Sequence, residues 1–417
     1  MGSTTVRLTR AEFQNFRGFD RLEVELAPEF NLILGANGAG KSSLIDGLAM
    51  AVGCTLRQQW GPKPALTDIR KVLRQGEGAP TLEIVEPCVV SMEASLNEWS
   101  AGWSVGISSV NGKTQNLPRE LQAWWKSVEE GASCTPPADL PVFARYDSAR
   151  AWSHLDASQT DTALPSRDEG WRTWWQPSTS FPKVSTWIRR QTFADLQAKA
   201  TLPQLQAVRR AVTDCLGDVE DFFYDIRSEQ LQVRLADGRL LPMALLSDGY
   251  RNVIAMVADL AWRAATLNPH LGAEAPARSP GIVLIDELDL HLHPAWQRRV
   301  IGDLRRTFPA MQFVATTHSP QVLASARREW VRLLDGGPVA RIVAHVQGRD
   351  SNSLLEDVFG VPERPDEDKA ALALLFEHID RERWAEARAA LASLLEQLGP
   401  DDPELVRARW LIDAEDA

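Results

Sequence analysis

Thirteen residues, LILGANGAGKSSL at positions 32–44, constrain the fold more than any other part of the chain. The apolar run FNLIL stops at Gly35, the pattern G-x-x-x-x-G-K-S runs from Gly35 to Ser42, and KSSLIDGLAMAVG then carries apolar residues at helical spacing to Gly53. Strand, glycine-rich loop and helix in that order let backbone N–H groups converge on a polyphosphate. Gly35, Ala36, Asn37, Gly38, Ala39 and Gly40 form the loop, and Ser43 completes the residues expected to hold a nucleotide. Lys41 places a positive charge near the β- and γ-phosphates, the Ser42 hydroxyl is expected to ligate Mg2+, and the helix presents its positive end. A buried strand feeding a helix in this way belongs to an α/β fold.

The carboxylates such a site needs lie in GIVLIDELDLHLHP. Apolar strand residues lead to Asp286, which is expected to hold Mg2+ directly or through water, and to Glu287, which is expected to orient and polarise the attacking water. ATP and Mg2+ are therefore the expected cofactors. His291 and His293 read as structural or loop residues. A lone histidine at a strand end is usually a satisfied core residue. His318 in FVATTHSPQVL follows the carboxylate strand, and that order favours a sensor of the γ-phosphate.

Around these motifs the chain divides into four stretches: 1–55, with the phosphate loop; 56–240, a looser Pro-, Ser- and Trp-containing stretch read as an inserted middle lobe; 241–349; and 350–417. In the third, a helix (249–267), the strand GIVLIDE, a helix (295–306), the strand QFVATTH and the closing strands VRLLD and RIVAHV alternate, which predicts a mixed or parallel sheet. The tail predicts three short helices: one with Leu372, Leu375, Phe376 and Ile379 at helical spacing, one from Trp384 to Leu398 closed by Gly399, and one starting at DDPEL with Asp402 as N-cap and Pro403 in the first turn.

A chain of 417 residues is long enough for two or three cores. No apolar run spans a bilayer and the N-terminus has no signal-peptide pattern, so a cytoplasmic protein without a membrane partner is expected. The isolated cysteines Cys54, Cys88, Cys134 and Cys215 lack metal spacing and read as reduced, mostly buried thiols. The net charge of −11 belongs to residues 350–417, which hold 18 acidic and 7 basic residues. That tail reads either as a docking surface for a basic partner such as a nuclease or as a solubilising cap. Nine of the fifteen tryptophans lie between 99 and 187. Window 171–210 sets Arg172, Lys183, Arg189, Arg190, Lys199, Arg209 and Arg210 against Asp195 alone. It reads as lobe core with solvated helix faces, or as a nucleic-acid surface in which bases stack on tryptophan and arginine neutralises phosphate.

One element is surplus to a single phosphate site. LLSDGYRNVIAMVADL places Ser247, Asp248 and Gly249 at the start of a second helix, 206 residues after Lys41 and 39 before Asp286. A helix N-terminus with a hydroxyl and an unhindered glycine can bind anionic oxygens. Either it binds the γ-phosphate of ATP held by another copy, or it is a plain N-cap.

The order of motifs resembles ATP-binding-cassette ATPases of the RecF/SMC/OLD-like kind within the AAA ATPases: Walker A, LSDG, LIDELDLHLHP, TTHS, with an N-terminal NFRGFDRLEVELAPEFNLILGANGAGKSSLIDGLAM typical of that group. The resemblance implies that the signature helix of one copy caps ATP on the other, giving a homodimer through the nucleotide sites, with larger assemblies left open. Asp248 stands where transporter cassettes carry glycine, Tyr250 where they carry glutamine, and Asp289 falls at the D-loop. LPVFARYDSARAW, LSDGYRNVIAMVADLAWRAATLNPHLG and GRDSNSLLEDVFGVPERP resemble a narrower group, the predicted ATP-binding proteins involved in virulence, similar to the PtuA ATPases of Septu and retron antiphage systems. That group implies an HNH nuclease partner, PtuB-like, and a slow, regulatory ATPase. Gln58 and Gln59 are candidates for the Q-loop glutamine, and Tyr146 and Arg150 either line the nucleotide site or belong to a lobe strand. The alternative function is a RecF-like DNA-repair ATPase without a toxic effector. A transporter cassette is disfavoured by the 245 residues between Lys41 and Asp286. A built-in nuclease is disfavoured by the 99 residues after His318, which show no acidic metal constellation on strands.

Overall fold

A computed structural model describes residues 4–56, 61–74, 80–108, 110, 112–132, 134–135, 137–148, 166–175, 181–199, 201–342, 347–348, 354, 358 and 364–415. The chain opens with β1 (Val6–Phe16), β2 (Phe19–Glu25), β3 (Phe30–Gly35) and α1 (Lys41–Gly53). A small hairpin, β4 (Lys71–Arg74) and β5 (Thr81–Ile84), precedes β6 (Cys88–Leu96), β7 (Trp99–Ser108) and β8 (Gly112–Asn116). Then come α2 (Arg119–Ala132), β9 (Val142–Tyr146), α3 (Glu169–Arg172), α4 (Phe181–Ala198) and α5 (Pro203–Cys215). Three further strands, β10 (Val219–Asp225), β11 (Gln230–Leu235) and β12 (Leu240–Pro242), lead to α6 (Asp248–Leu267), α7 (Ala275–Arg278) and β13 (Gly281–Ile285). The closing run of this part is α8 (Pro294–Gln297), α9 (Val300–Thr307), β14 (Met311–Thr316), α10 (Pro320–Ser325), β15 (Val331–Leu334) and β16 (Arg341–Ile342).

The central sheet has the order β16-β15-β3-β14-β13-β9. Its five strands from β15 to β9 are mutually parallel and β16 is antiparallel. β3, β13 and β14 are buried at every position, which is why their sequences are continuous apolar runs rather than alternations. A second, antiparallel sheet has the order β2-β1-β6-β7-β8. In β1 the buried residues switch from Val6 and Leu8 to Ala11 and Phe13. The register shift between Leu8 and Arg10 accounts for this, because one extra residue restores the inward phase of a period-2 strand.

Helix α1 is buried at ten of its thirteen positions, as a helix covered on all sides must be. Gly47 lies so close to Phe13 that an added Cβ would be 2.4 Å from its ring, and Trp103 Nε1 of β7 donates to Ala51 O at 2.8 Å. The phosphate-loop helix is thus held by side chains of the antiparallel sheet as well as by its own strand.

The stretch 56–240, expected to stand apart as an inserted lobe, is woven into both sheets. β6 pairs with β1, β7 with β6 and β8 with β7, and β9 is the edge strand beside β13. Among the described residues of this stretch, β10, β11 and β12 form a separate three-stranded antiparallel sheet, and β4 and β5 a separate two-stranded one. β9 is five residues long with four of them buried, too short for its periodicity to declare it. The helix expected over 295–306 divides into α8 and α9 at Arg299, whose N–H bonds to Trp296 O three residues back. Of RIVAHV, Arg341 and Ile342 form β16 and the last four residues lie outside the described residues.

Residues 350–417 form a second compact unit, with α11 (Asp366–Asp380), α12 (Trp384–Leu398) and α13 (Pro403–Glu415). Leu372, Leu375 and Ile379 pack with Ala387, Leu391 and Leu394 and with Leu405, Ala408 and Ile412. Gly399 ends α12 at φ 89°. Asp402 Oδ1 accepts from Glu404 N at 3.0 Å and Leu405 N at 3.3 Å, an N-cap on a helix whose first residue is proline. Among the described residues, no helix is long and apolar enough to cross a membrane.

Cys88 and Cys215 are buried, Cys54 is half-buried and Cys134 is exposed. Burial pushes the thiols of Cys54, Cys88 and Cys215 up to about 12, which leaves almost no thiolate near neutral pH. Alkylation of the native protein at pH 8, followed by peptide mapping, should label Cys134 first and the other three only after denaturation. Equal labelling of all four in the native state would contradict this packing.

Candidate functional site

Three parallel strands bring the sequence motifs to one edge. β14 lies between β3 and β13, with Thr316 opposite Ile33 and Ala315 opposite Ile285. Gly35, the Thr316–His318 segment and the Asp286–Glu287 pair therefore emerge side by side at the carboxyl ends of the strands, where ligands bind in open α/β sheets.

At β3 the chain turns through Ala36, Asn37 and Gly38, all exposed, and Ala39 and Gly40, half-buried, into α1. Gly40 is the N-cap of α1 at φ 95°, and an added Cβ would lie 2.4 Å from the Phe19 ring. Conformation and space both require glycine there. Ser42 is exposed and Ser43 half-buried in the first turn. Lys41 is buried, and its Nζ donates to Gly35 O at 2.9 Å and Ala36 O at 3.0 Å. Burial lowers its pKa, and the negative charges of Asp286, Glu287 and Asp289 oppose that shift. The lysine thus stands in the field of the three carboxylates that follow β13.

Asp286 is 4% exposed. Its N–H donates to Tyr146 O of β9 at 2.7 Å, and its Oδ1 accepts from Thr316 Oγ1 at 2.6 Å. The same hydroxyl oxygen accepts from Glu287 N at 2.7 Å. Thr316 therefore fixes the backbone of one carboxylate residue and the side chain of the other. Glu287 sits at φ 52°, a left-handed conformation that is strained for a residue with a side chain. Asp289 accepts from Thr317 Oγ1 and, at 3.4 Å, from His318 N, which ties the carboxylate loop to the end of β14. His318 is half-buried at that strand end. Ser42 and Asp286 are a hydroxyl and a carboxylate, the hard oxygen donors Mg2+ takes when phosphate and water complete its octahedron. His293 caps α8, its Nδ1 accepting from Ala295 N at 3.3 Å, and among the described residues no three His, Cys, Asp or Glu side chains cluster as metal ligands.

Ser247 is the N-cap of α6 and makes no side-chain capping bond. It and Asp248 are exposed, and Asp248 pairs with Arg251 one turn on. Gly249 is buried, and a Cβ there would lie 2.3 Å from His291 O. Glycine thus lets α6 press against the loop that follows the carboxylates. Tyr250 stacks edge-on against Trp296 with ring centroids 4.2 Å apart and donates to Asp218. Asp218 also receives Arg299 at 2.9 Å. Burial, and then the charge of Asp218, push the Tyr250 hydroxyl up to about 12. The helix tip faces outward while its flank is fixed to α8 and α9.

Other expectations fare differently. Tyr146 does not line the site: its hydroxyl is buried and donates to Asp259 Oδ2 of α6 at 2.8 Å. Gln58, Gln59 and Arg150 lie outside the described residues. Trp171 and Trp174 are core residues, with Trp171 edge-on to Trp125 at 5.7 Å and its Nε1 donating to Pro141 O, so neither offers a face to a base. Arg172 and Lys183 pair with Glu169, Arg209 with Asp221, and Arg210 with Asp214 and Glu274, acids that all lie outside the window counted in the sequence. Sequence reasoning missed Thr316 and Arg145. The TTHS string marked Thr316 by its place before His318. Nothing in the sequence marked Arg145, whose Nη2 donates to Asp46 Oδ1 of α1 at 2.5 Å.

Residues 217–324 match the family model described as "AAA domain, putative AbiEii toxin, Type IV TA system", and residues 10–63 match one described as "AAA domain". The chain is 40% identical to the retron Ec83 probable ATPase of Escherichia coli, across 98% of this chain and 87% of that protein. It is 24% identical to the Septu protein PtuA of Bacillus thuringiensis, across 83% of this chain and 82% of that one. Among solved structures, the SMC head domain from Thermotoga maritima aligns with a TM-score of 0.46 at 15% identity, covering 81% of this chain and 98% of that domain.

Thr316→Val removes both bonds of the bridging hydroxyl and keeps its shape. A loss of about 1–3 kcal/mol of carboxylate positioning is expected, read as a drop in phosphate release of roughly five- to 150-fold. Parent turnover in this variant would show that Thr316 does not position the carboxylates.

Proposed function

The chain belongs to the family of the retron Ec83 probable ATPase, and from that premise we propose that it is an ATP-clamped regulatory subunit of an antiphage system. Two copies close head to tail around two ATP molecules and thereby control a partner nuclease. The observation that carries this reading is the tip of α6. Its own chain already holds a phosphate loop, a lysine and paired carboxylates at one sheet edge. Ser247 and Asp248 nevertheless stand exposed at a helix N-terminus, and the Ser247 oxygen is not spent on capping. A second copy's γ-phosphate is the partner such a tip fits, because the unbonded N–H groups of a first turn and the helix dipole favour an anion.

Within one site the division of work follows from position. Backbone N–H groups from Ala36 to Ser43 and the Lys41 ammonium hold the β- and γ-phosphates. Ser42 and Asp286 would hold Mg2+, whose chemistry when bound is to neutralise charge on the transferred phosphoryl group. Glu287 orients the attacking water and accepts its proton. His318, at the end of β14, contacts the γ-phosphate and relays its presence to Asp289. Turnover is slow, because the clamp serves as a switch rather than as an engine. A cytoplasmic setting, where ATP and Mg2+ are abundant, fits this role.

We assign the nuclease, HNH-type and PtuB-like, from the family resemblance, and its docking surface to the acidic 350–417 unit. Near-full-length similarity to a retron ATPase favours this reading over a RecF-like repair role. Nucleic acid on 171–210 is a weaker proposal, since Trp171 and Trp174 are buried and Arg172, Lys183, Arg209 and Arg210 are paired.

Lys41→Ala should abolish ATP binding in calorimetry. Glu287→Gln should bind ATP and accumulate as a dimer in sedimentation velocity with ATP and Mg2+. Adding Ser247→Arg to that variant should restore the monomer while leaving ATP binding intact. A dimer that persists in the double variant would overturn the head-to-tail arrangement.

A further inference from the structure

The end of β9 carries two adjacent side chains that no motif accounts for. Successive residues of a strand point to opposite faces of the sheet, and here each face meets a different functional helix. Arg145 reaches α1, with Nη2 on Asp46 Oδ1 at 2.5 Å and Nη1 on Trp175 O at 3.0 Å. Asp46 also receives Arg17 from the β1–β2 turn at 2.5 Å. Tyr146 reaches α6, with its hydroxyl on Asp259 Oδ2 at 2.8 Å, and Arg263 Nε donates to that same oxygen at 2.8 Å. Arg263 Nη1 continues to Gly170 O at 2.8 Å. Between the two side chains, the carbonyl of Tyr146 accepts the amide of Asp286 at 2.7 Å. Two consecutive residues thus touch the phosphate-loop helix, the carboxylate strand and the signature helix.

Tyr146, Asp259 and Arg263 are all at most 2% exposed. Burial, and then the charge of Asp259, push the Tyr146 pKa well above 10, so its hydroxyl keeps the proton it donates. A buried ion pair adds little stability, since desolvation offsets the attraction; what it provides is a fixed geometry. Asp259 lies twelve residues beyond Ser247, about 18 Å along the axis at 1.5 Å per residue. α6 is buried at fifteen of its twenty positions, so a shift at Asp259 is carried to the tip as a rigid displacement.

We propose that Arg145 and Tyr146 are positioning residues that couple the nucleotide site of one copy to the signature tip it presents to the other. This rests on the head-to-tail reading above. A change in the phosphate loop or at Asp286 moves the end of β9, and β9 moves α6 through Tyr146. Each copy therefore offers its tip in register only when its own site is filled, which makes closure of the two sites concerted.

A double-mutant cycle tests this on the full-length protein. Tyr146→Phe should lower kcat roughly tenfold, the size expected for losing a buried hydrogen bond to a charge, while the ATP dissociation constant changes less than about twofold, within the scatter of remote substitutions. In a Ser247→Ala background the same substitution should have little further effect, because the tip it positions is already impaired. The Hill coefficient for ATP should fall toward one. Additive losses in the cycle, or parent kcat in Tyr146→Phe, would overturn the coupling role while leaving the head-to-tail site standing. If Ser247→Ala alone left turnover untouched, the head-to-tail reading would fail and this inference with it. Should Tyr146→Phe not fold, Asp259→Asn removes the charge at constant size and takes its place in the cycle, with the same outcomes.

Discussion

The register of three parallel strands turns scattered segments into one site. β3, β14 and β13 are hydrogen-bonded neighbours that end together, so a glycine loop, a threonine pair with a histidine, and two carboxylates meet although the chain separates the first from the last by some 250 residues. Thr316 bonds sideways to the Asp286 carboxylate and the Glu287 amide, and the Tyr146 carbonyl on the other side holds the amide of Asp286. Lys41 is buried where those negative charges can offset the cost of its burial. A slip of one residue in this pairing would turn every side chain of the slipped strand to the wrong face.

Helix α6 is asymmetric. Its flank is fixed: Gly249 lies against His291 O, Tyr250 against Trp296 and Asp218, and Asp259 against Tyr146. Its tip is exposed. An exposed positive helix end of this kind favours an anion, which is the basis of the proposed contact with a second copy. The flank contacts the loop after the carboxylates through Gly249 and His291 O, the contact on which the proposed coupling of tip and site draws.

How much was legible in the sequence follows from periodicity. α1 begins at Lys41 and ends at Gly53 as expected, because an apolar run, a glycine loop and a helical pattern adjoin without ambiguity. The three tail helices were legible for the same reason, with Gly399 and Asp402 marking their limits. The stretch 56–240 was not. β9 is five residues long, and β6 pairs with a strand some eighty residues earlier and carries β7 and β8 with it, so nothing local shows which sheet they join. Composition misled where pairing partners lay outside the window: Arg172, Lys183, Arg209 and Arg210 looked unopposed because their partners Glu169, Asp221, Asp214 and Glu274 lie beyond it. Clustered tryptophans suggested a stacking platform, whereas Trp171 and Trp174 fill the core beside Trp125 and Phe143.

The central claim is that each ATP is completed by a helix tip from another copy, and mixing two inactive variants tests it most directly. Glu287→Gln keeps its tip and fills its site with ATP but does not hydrolyse it; Ser247→Arg holds nucleotide but offers a blocked tip. Phosphate release from an equimolar mixture should recover a substantial fraction of the parent rate, because the mixed pair contains one complete site. A mixture as inactive as its two components, although the variants co-sediment, would contradict the account.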